Sequence, residues 1–319
     1  MQQEGVGSTR EMTSAEFDWK VRRKALMQPL EAPGTNLSAR RPEDTFQVKV
    51  QGRSLEVKRI EVKRIHSRIP QAPELVFLHE GLGSVSHWKD FPERVAAATG
   101  CAVTVYSRYG NGNSDPLTEP RAVAYMHDEA LRTLPELLAQ LHIENPILLG
   151  HSDGASIALI FAGTPAGAHS GPRGLVLLAP HVFVEQLSVT SIAQAKTSFE
   201  TTNLPEKLAR HHRDAALTFW GWNNIWLHPD FRAWNIEEYL PRITCPILAI
   251  QGIDDQYGTM AQVQAIARQS GGPVEILPLA DCRHSPQRDQ PEAVLAAIAR
   301  FVNQIGGNKS GENNSDGNK

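Results

Sequence analysis

The chain has 319 residues, of which 41% are hydrophobic and 21% are charged, which suits one sizeable globular domain with room for an inserted subdomain. Its formal net charge of −3 gives no electrostatic reason to expect nucleic acid or an anionic membrane surface as a partner. No apolar run approaches the roughly 18 residues of a membrane-spanning helix, and residues 1–10 are too polar for the apolar stretch of a secretory signal.

The cysteine content favours a reducing environment. Cys101, Cys245 and Cys282 are too few and too widely spaced for a disulfide framework or a zinc site. We therefore expect a cytoplasmic protein. No motif in the sequence implies a metal or an attached cofactor, and we expect the partner to be a small molecule.

The first predicted element is an antiparallel hairpin. Residues 1–41 are polar and mixed in charge, and we expect a flexible arm there. Residues 45–50 and 55–65 then alternate in polarity like two strands, and Gln51-Gly52 suits the turn between them. The second strand contains the pentapeptide EVKRI twice. A repeat of odd length sends the side chains of the second copy to the opposite face unless a bulge intervenes.

The next part of the chain predicts an α/β fold. Short apolar runs are typical of buried strands, and helix-period stretches separate most of them. This alternation favours a mostly parallel sheet with helices on both faces. The predicted strands are 75–78, 102–106, 146–149, 175–178, 247–250 and 274–277, and the predicted helices are 88–98, 122–141, 155–162, 261–268 and 291–302.

One interval is too long for a loop between two strands. Residues 182–243 are rich in aromatic side chains and have the pattern of several helices, so we predict an inserted helical cap over the carboxyl edge of the sheet. The expected organisation is a core formed by 42–181 and 244–305, the cap at 182–243, and a disordered tail at 306–319.

The strongest chemical signal is the segment Gly150-His151-Ser152-Asp153-Gly154. It follows a buried strand and leads into a helix, which is the setting of a nucleophile elbow. A serine on so sharp a turn needs neighbours without side-chain bulk, which explains both glycines. The turn also places the Asp153 N–H at a helix N-terminus, where it could stabilise an oxyanion. We predict Ser152 as the nucleophile and Asp153 as an oxyanion donor; the alternative is a glycine-rich turn with an incidental serine.

A serine nucleophile needs a base, and the base needs a residue that orients it. Elbow hydrolases place these partners in the chain order Ser, acid, His. The strand at 247–250 leads into Asp254 and Asp255, and His284 is the only histidine that follows them. His284 is therefore the predicted base. Side chains alternate at the end of a strand, so only one aspartate can easily face His284, and spacing alone leaves both open.

With these motifs, residues 45–305 resemble the α/β-hydrolase superfamily, which implies that fold and a serine hydrolase activity. The superfamily commonly shows Gly-x-x-Asp after this strand, and residues 252–255 match that pattern at Asp255. The resemblance therefore implies Asp255 as the acid. It also implies a second oxyanion donor in the loop after the first buried strand. The superfamily usually has His-Gly there, whereas this chain has His-Glu-Gly, so alignment on His79 makes Gly81 the donor and Leu82 the next possibility.

Two segments resemble a subgroup of bacterial hydrolases more closely. These are HEGLGSVSxW and SRYGNGNSDP, and the resemblance implies that the second (107–116) is a structured loop near the site. A simple Gly/Asn turn explains Tyr109 and Asn111 equally well. The glycines at 81–86 also mimic a dinucleotide-binding loop, with Arg108 where a 2′-phosphate reader could sit. That alternative leaves the elbow, the acid and the base unexplained.

The predicted function is acyl transfer to water, with a small carboxylic ester as substrate. The alternatives are hydrolytic C–C cleavage of a ring-fission diketone and a non-enzymatic ligand-binding protein on a hydrolase fold. Trp220, Trp222 and Trp226 lie within two helical turns of the predicted cap, and Trp222 and Trp226 share a face. We predict that these two and Leu82 contact substrate; packing within the cap is the alternative for each tryptophan.

Overall fold

A computed structural model describes residues 43–60, 72–165 and 170–307 of the chain. An eight-stranded sheet runs through it in the order β1-β2-β4-β3-β5-β6-β7-β8. The first two strands are antiparallel to their neighbours and the other six are parallel, which confirms the predicted α/β class. The strands are β1 (Glu43–Val50), β2 (Arg53–Ile60), β3 (Leu75–Leu78), β4 (Val103–Ser107), β5 (Ile147–His151), β6 (Gly174–Leu178), β7 (Ile247–Gly252) and β8 (Val274–Leu279).

The hairpin between β1 and β2 turns at Gln51 and Gly52, whose φ angles are 53° and 75°. Two positive φ angles match the right-handed twist of the flanking strands. β2 ends at Ile60, so the second EVKRI copy lies outside the described residues. The arm predicted at 1–41 lies outside them too, as does the predicted tail from residue 308 onward.

Helices cover both faces of the sheet because the central strands carry apolar side chains on both faces. Val76 of β3 and Leu148 of β5 face one helical layer, and Phe77 and Leu149 face the other. The helices are α1 (Phe91–Thr99), α2 (Tyr125–Asp128), α3 (Leu134–Gln140), α4 (Asp153–Ala162), α5 (Gln186–Thr201), α6 (Leu204–Ala209), α7 (Ala215–Trp226), α8 (Met260–Gln269), α9 (Pro286–Asp289) and α10 (Pro291–Gly307).

Three predicted elements differ from the structure. β8 was expected to be buried, but its residues are half-buried or exposed because it lies at the edge of the sheet beside β7 alone. The helix expected at 88–98 starts at Phe91, where Pro92 suits the first turn. The helix expected at 122–141 is divided by a π-helical turn, Glu129–Thr133. Pro135 follows that turn, and a π turn accommodates its missing N–H.

A helical insertion, residues 182–243, connects β6 to β7. It contains α5, α6, α7 and two 3₁₀ helices, Pro229–Ala233 and Glu237–Arg242. Its two ends lie side by side, because Ile236 donates a backbone hydrogen bond to Val182 (2.8 Å). Across all of the described ranges, the structure has no helix with both the length and the apolar character needed to cross a membrane.

Candidate active site

Ser152 stands on a strained turn between β5 and α4. Its φ and ψ are 52° and −118°, a conformation that residues with a side chain rarely adopt outside functional sites. The two glycines of the segment are required by close packing. A Cβ on Gly150 would overlap the backbone at Gly154 and Ala155, and a Cβ on Gly154 would overlap the carbonyl oxygen of Leu78. The tight turn between β5 and α4 therefore requires glycine at both positions.

The imidazole of His284 bridges Ser152 and Asp255. Its Nε2 lies 2.9 Å from Ser152 Oγ, and its Nδ1 lies 2.8 Å from Asp255 Oδ2. A ring whose Nδ1–H donates to a carboxylate has an unprotonated Nε2 that can accept the serine proton. The structure thus brings together the three residues that the sequence predicted as nucleophile, acid and base.

The two adjacent aspartates have different environments. Asp254 is exposed, whereas the Asp255 carboxylate also accepts hydrogen bonds from Gln251 Nε2 (2.7 Å) and from the backbone N–H of Tyr257 (2.7 Å). Burial alone would raise the pKa of Asp255, but the charge and hydrogen bond of His284 and the Tyr257 N–H bring it below its usual value. Asp255 is therefore held as a carboxylate beside the imidazole.

The predicted oxyanion loop meets the elbow at the same edge of the sheet. Leu78 pairs with Gly150 across β3 and β5, so the residues that follow each strand are neighbours. The backbone N–H groups of Gly81 and Asp153 have no hydrogen-bond partner within the described part of the chain. Free N–H groups in the segments that follow two paired strands, one of which carries the serine, are the kind of donor that an oxyanion needs.

Residues 75–297 match the family described as "Alpha/beta hydrolase family", which is more than half of the chain. The chain belongs to the alpha/beta hydrolase family. Membership supports hydrolase activity and leaves the substrate open.

Proteins that are similar to this alpha/beta hydrolase are named for different reactions. A proline iminopeptidase of Lactobacillus delbrueckii subsp. lactis is 24% identical over 228 residues, which cover 60% of this chain and 78% of the relative. The enol-lactonase from Burkholderia xenovorans LB400 has a TM-score of 0.61 at 20% identity, with 81% of this chain and 99% of that chain covered. A thermophilic esterase from Thermogutta terrifontis has a TM-score of 0.61 at 18% identity, with 82% and 99% covered. The two structural likenesses show the fold alone.

Glu80, the residue that departs from the usual His-Gly of the family, lies beside the residue that precedes the nucleophile. Its Oε2 is 3.3 Å from His151 Nδ1, and the Nε2–H of His151 donates to the carbonyl of His284 (2.7 Å). Burial alone would raise the pKa of Glu80, but the hydrogen bond with His151 and the charges of His87, His151 and Arg288 hold it well below its usual value. Sequence reasoning gave Glu80 no role, although its departure from the family pattern was visible.

His181 is a second residue that sequence reasoning missed. Its ring lies 5.6 Å from the His284 ring and 5.2 Å from the Trp226 ring. Burial, followed by the charge of His284, lowers the pKa of His181 to about 4, so the ring is neutral at ordinary pH. Nothing in the local sequence marks it, because it becomes a neighbour of His284 only through the fold.

The helical insertion brings Trp222 and Trp226 to the two predicted oxyanion segments, at Gly81 and Asp153. A Cβ on Gly81 would overlap the Trp222 indole, and Trp226 Nε1 lies 3.3 Å from Asp153 Oδ1. Both tryptophans are buried. Trp220 instead packs edge-to-face against Phe199 and Phe219. The two tryptophans predicted to contact substrate therefore adjoin the site, whereas Trp220 packs within the insertion.

Leu82 is half-buried in the predicted oxyanion loop. Its carbonyl accepts a hydrogen bond from His212 Nε2 of the helical insertion (3.0 Å), and His212 Nδ1 accepts one from the Gly112 N–H (2.9 Å). His212 thus joins the oxyanion loop to the 107–116 loop. Asn111 Nδ2 adds a hydrogen bond to the carbonyl of Gly81 (3.2 Å), so the second loop is structured by long-range contacts and is more than a local turn.

Proposed function

We propose that this protein is a serine hydrolase in which Ser152 attacks a carbonyl carbon, His284 accepts the serine proton, and Asp255 orients and stabilises the imidazolium. The observation that carries the proposal is the single imidazole bonded to both the hydroxyl and the buried carboxylate. The N–H groups of Gly81 and Asp153 would stabilise the oxyanion of the tetrahedral intermediate. His284 then returns the proton to the leaving group, and water releases the acyl group by the same path.

We further propose a small carboxylic ester as the substrate. Aromatic side chains of the helical insertion adjoin both oxyanion segments, and the Tyr257 ring lies 4.7 Å from the His284 ring. Such a surface favours an apolar acyl or alkyl group. An aminopeptidase would also need to bind a substrate ammonium group. The Asp153 carboxylate, next to the nucleophile in sequence, already accepts hydrogen bonds from Tyr125 and Trp226. It is therefore poorly suited to bind such an ammonium group.

The helical insertion, residues 182–243, is proposed to act as a cap that determines selectivity. Its helix α7 supplies Trp222 and Trp226, and its His212 bonds to the oxyanion loop. The core residues 42–181 and 244–305 would then supply the chemistry. In this division, changes in the cap alter which ester is preferred, while changes in the core alter the rate for every ester.

Kinetics of Ser152→Ala test the nucleophile. We expect a loss of about 10⁶-fold in kcat, because removal of a triad nucleophile leaves only binding and oxyanion stabilisation. Ser198→Ala is the matched control, since Ser198 is exposed on α5 and should keep the wild-type rate. If folded Ser152→Ala keeps more than about a tenth of the activity, Ser152 is not the nucleophile and the protein hydrolyses its substrate by another chemistry.

A substrate panel tests the ester proposal separately. It would contain 4-nitrophenyl esters of increasing acyl length, proline 4-nitroanilide and one vinylogous ring-fission diketone. We expect the highest kcat/KM for a short ester. A higher value for the diketone or the anilide, if it is lost in Ser152→Ala, would overturn the ester proposal and leave the nucleophile proposal intact.

A further inference from the structure

Arg108 is a buried arginine behind the oxyanion loop. It follows β4 and is 1% exposed. Its Nη2 donates to the carbonyl oxygen of Glu80 (2.8 Å) and lies 3.6 Å from Asp153 Oδ2. Its Nε and Nη1 have no hydrogen-bond partner among the described residues. A buried guanidinium that is only partly hydrogen-bonded contributes little to stability, so its place in the fold requires another explanation.

The contact with Glu80 acts on the peptide group that carries one oxyanion donor. The carbonyl of Glu80 and the N–H of Gly81 belong to the same peptide unit, which is planar and trans, so the two groups point in opposite directions. A donor that fixes the carbonyl therefore also fixes the N–H. A cation on the carbonyl oxygen further polarises the unit, which makes the N–H a stronger donor.

The same carbonyl receives two more hydrogen bonds. The backbone N–H of Arg108 donates to His79 Nε2 (2.9 Å), so the proton of the neutral ring is on Nδ1, which donates to the Glu80 carbonyl (2.6 Å). The N–H of Gly83 also donates to it (3.0 Å). Burial, followed by the charge of Arg108, holds the pKa of His79 well below its usual value, which keeps the ring neutral as this arrangement requires.

The contact with Asp153 acts on the residue that carries the other donor. The Asp153 side chain is 1% exposed, and it also accepts hydrogen bonds from the Tyr125 hydroxyl (2.7 Å) and from Trp226 Nε1 (3.3 Å). Three groups thus fix the first residue of α4. Among them, Arg108 also donates a hydrogen bond to the Glu80 carbonyl.

Asn111 makes the comparable contact on the next peptide unit. Its Nδ2 lies 3.2 Å from the carbonyl of Gly81, whose peptide partner is the N–H of Leu82, and 3.0 Å from the carbonyl of Gly83. A neutral amide shared between two carbonyls orients a peptide less strongly than a cation and an imidazole on one carbonyl. The contacts therefore favour Gly81 over Leu82 as the donor.

We propose that Arg108 is a positioning residue that aligns both oxyanion donors, the N–H of Gly81 and the N–H of Asp153. The inference rests on the proposed serine mechanism, because it assigns a role within that mechanism. Arg108 touches neither substrate nor the reacting atoms. Its effect should therefore be on stabilisation of the tetrahedral intermediate and not on binding of the ground-state substrate.

The test compares two ketone inhibitors in wild-type, Arg108→Met and Arg108→Lys proteins. A trifluoromethyl ketone forms a bond between its carbonyl carbon and Ser152 Oγ. The carbonyl π bond breaks to give an oxyanion, and His284 takes the serine proton. The matching methyl ketone binds as an unreacted carbonyl and reports ground-state binding. Arg108→Met should lower kcat and trifluoromethyl ketone affinity together, by about 10- to 100-fold, which is less than the loss of a whole donor.

KM and methyl ketone affinity should stay within about three-fold of wild type. Arg108→Lys should lie between wild type and Arg108→Met, because an ammonium group can still donate to the Glu80 carbonyl. If Arg108→Met does not fold, Asp153→Asn replaces it. Asp153→Asn keeps nearly the same shape, removes the negative charge that Arg108 faces, and places an amide N–H donor where one carboxylate oxygen accepted a hydrogen bond. The same pattern of losses is therefore expected.

Three results would overturn the inference. One is an unchanged kcat in the folded variant, and another is an equal loss of affinity for both ketones. The third is a larger kcat loss in Asn111→Ala than in Arg108→Met, which would make Leu82 the donor. Failure of the proposed function has a different signature, because the wild-type protein would then form no adduct with the trifluoromethyl ketone.

Discussion

Replacement of Asp255 by asparagine should stop catalysis by changing the tautomer of His284. The hydrogen-bond partners of the Asp255 carboxylate all donate to it: Gln251 Nε2, the N–H groups of Tyr257 and Gly258, and His284 Nδ1. An asparagine can keep its oxygen toward the Tyr257 N–H, which turns its amide nitrogen toward His284. The imidazole can then pair with that nitrogen only by accepting at Nδ1, which places its proton on Nε2. A protonated Nε2 cannot accept the serine proton.

The expected loss is about 10⁴-fold in kcat, the size seen when the orienting acid of a triad becomes an amide. At 1.36 kcal/mol for each factor of ten, this corresponds to roughly 5 kcal/mol of transition-state stabilisation. The fold should survive, because the side-chain shape is kept. Gln251 Oε1 has no partner within the described ranges, so a flip of that amide could accept from the new asparagine in exchange for the Gln251 hydrogen bond to the Gly258 carbonyl (3.1 Å). Steady-state kinetics on a 4-nitrophenyl ester and a thermal unfolding curve would measure both effects.

Asp254→Asn is the matched control. Asp254 is exposed and adjacent in sequence, so its variant should keep nearly the wild-type rate. The reasoning fails if the two variants lose similar activity, if Asp254→Asn loses more, or if folded Asp255→Asn keeps more than about a tenth of kcat.

Three further predictions concern pH, the elbow and the pocket. The pKa of Asp255 is lowered on balance. The stability that its carboxylate confers is therefore present above its unfolded pKa of about 3.9 and is lost as the pH falls through the lower folded value. In urea unfolding, the difference in unfolding free energy between the wild type and Asp255→Asn should shrink below about pH 4. Gly154→Ala should lower the free energy of unfolding by about 1–3 kcal/mol or more, because its Cβ would overlap the Leu78 carbonyl. Gly221→Ala is the control: its Cβ would meet the Leu117 side chain at 3.1 Å, so the free energy of unfolding should fall much less. Trp222→Ala should shift relative kcat/KM between small and bulky esters by about 10- to 200-fold, and Trp220→Ala should leave that ranking unchanged; equal rankings in both would place the pocket elsewhere.

The sequence predicted the fold because the signals are local. Apolar runs such as 75–78 and 175–178 correspond to β3 and β6, since a strand buried on both faces must be apolar throughout. The same rule was wrong about the burial of β8, because a run of apolar residues does not reveal whether a strand has one neighbour or two. The place of a strand in the sheet is a property of the whole fold.

The site was predictable where chemistry depends on short spacing. Ser152 is identified by its own glycines and His284 by its position after the aspartates, but the choice of Asp255 over Asp254 required the family resemblance. Arg108 and Glu80 could not be found in this way. The Arg108 contact to the Glu80 carbonyl joins residues 28 positions apart, and no local pattern connects them.

Covalent labelling with a fluorophosphonate, followed by peptide mass mapping, tests the central claim most directly. The probe phosphonylates a serine only when a base activates it and an oxyanion site receives the phosphoryl oxygen. We expect one label per chain on the peptide that contains Ser152, no label in Ser152→Ala, and strongly slowed labelling in Asp255→Asn. A folded wild-type protein that takes no label, or takes it on another residue, would contradict the assignment of Ser152 as the nucleophile.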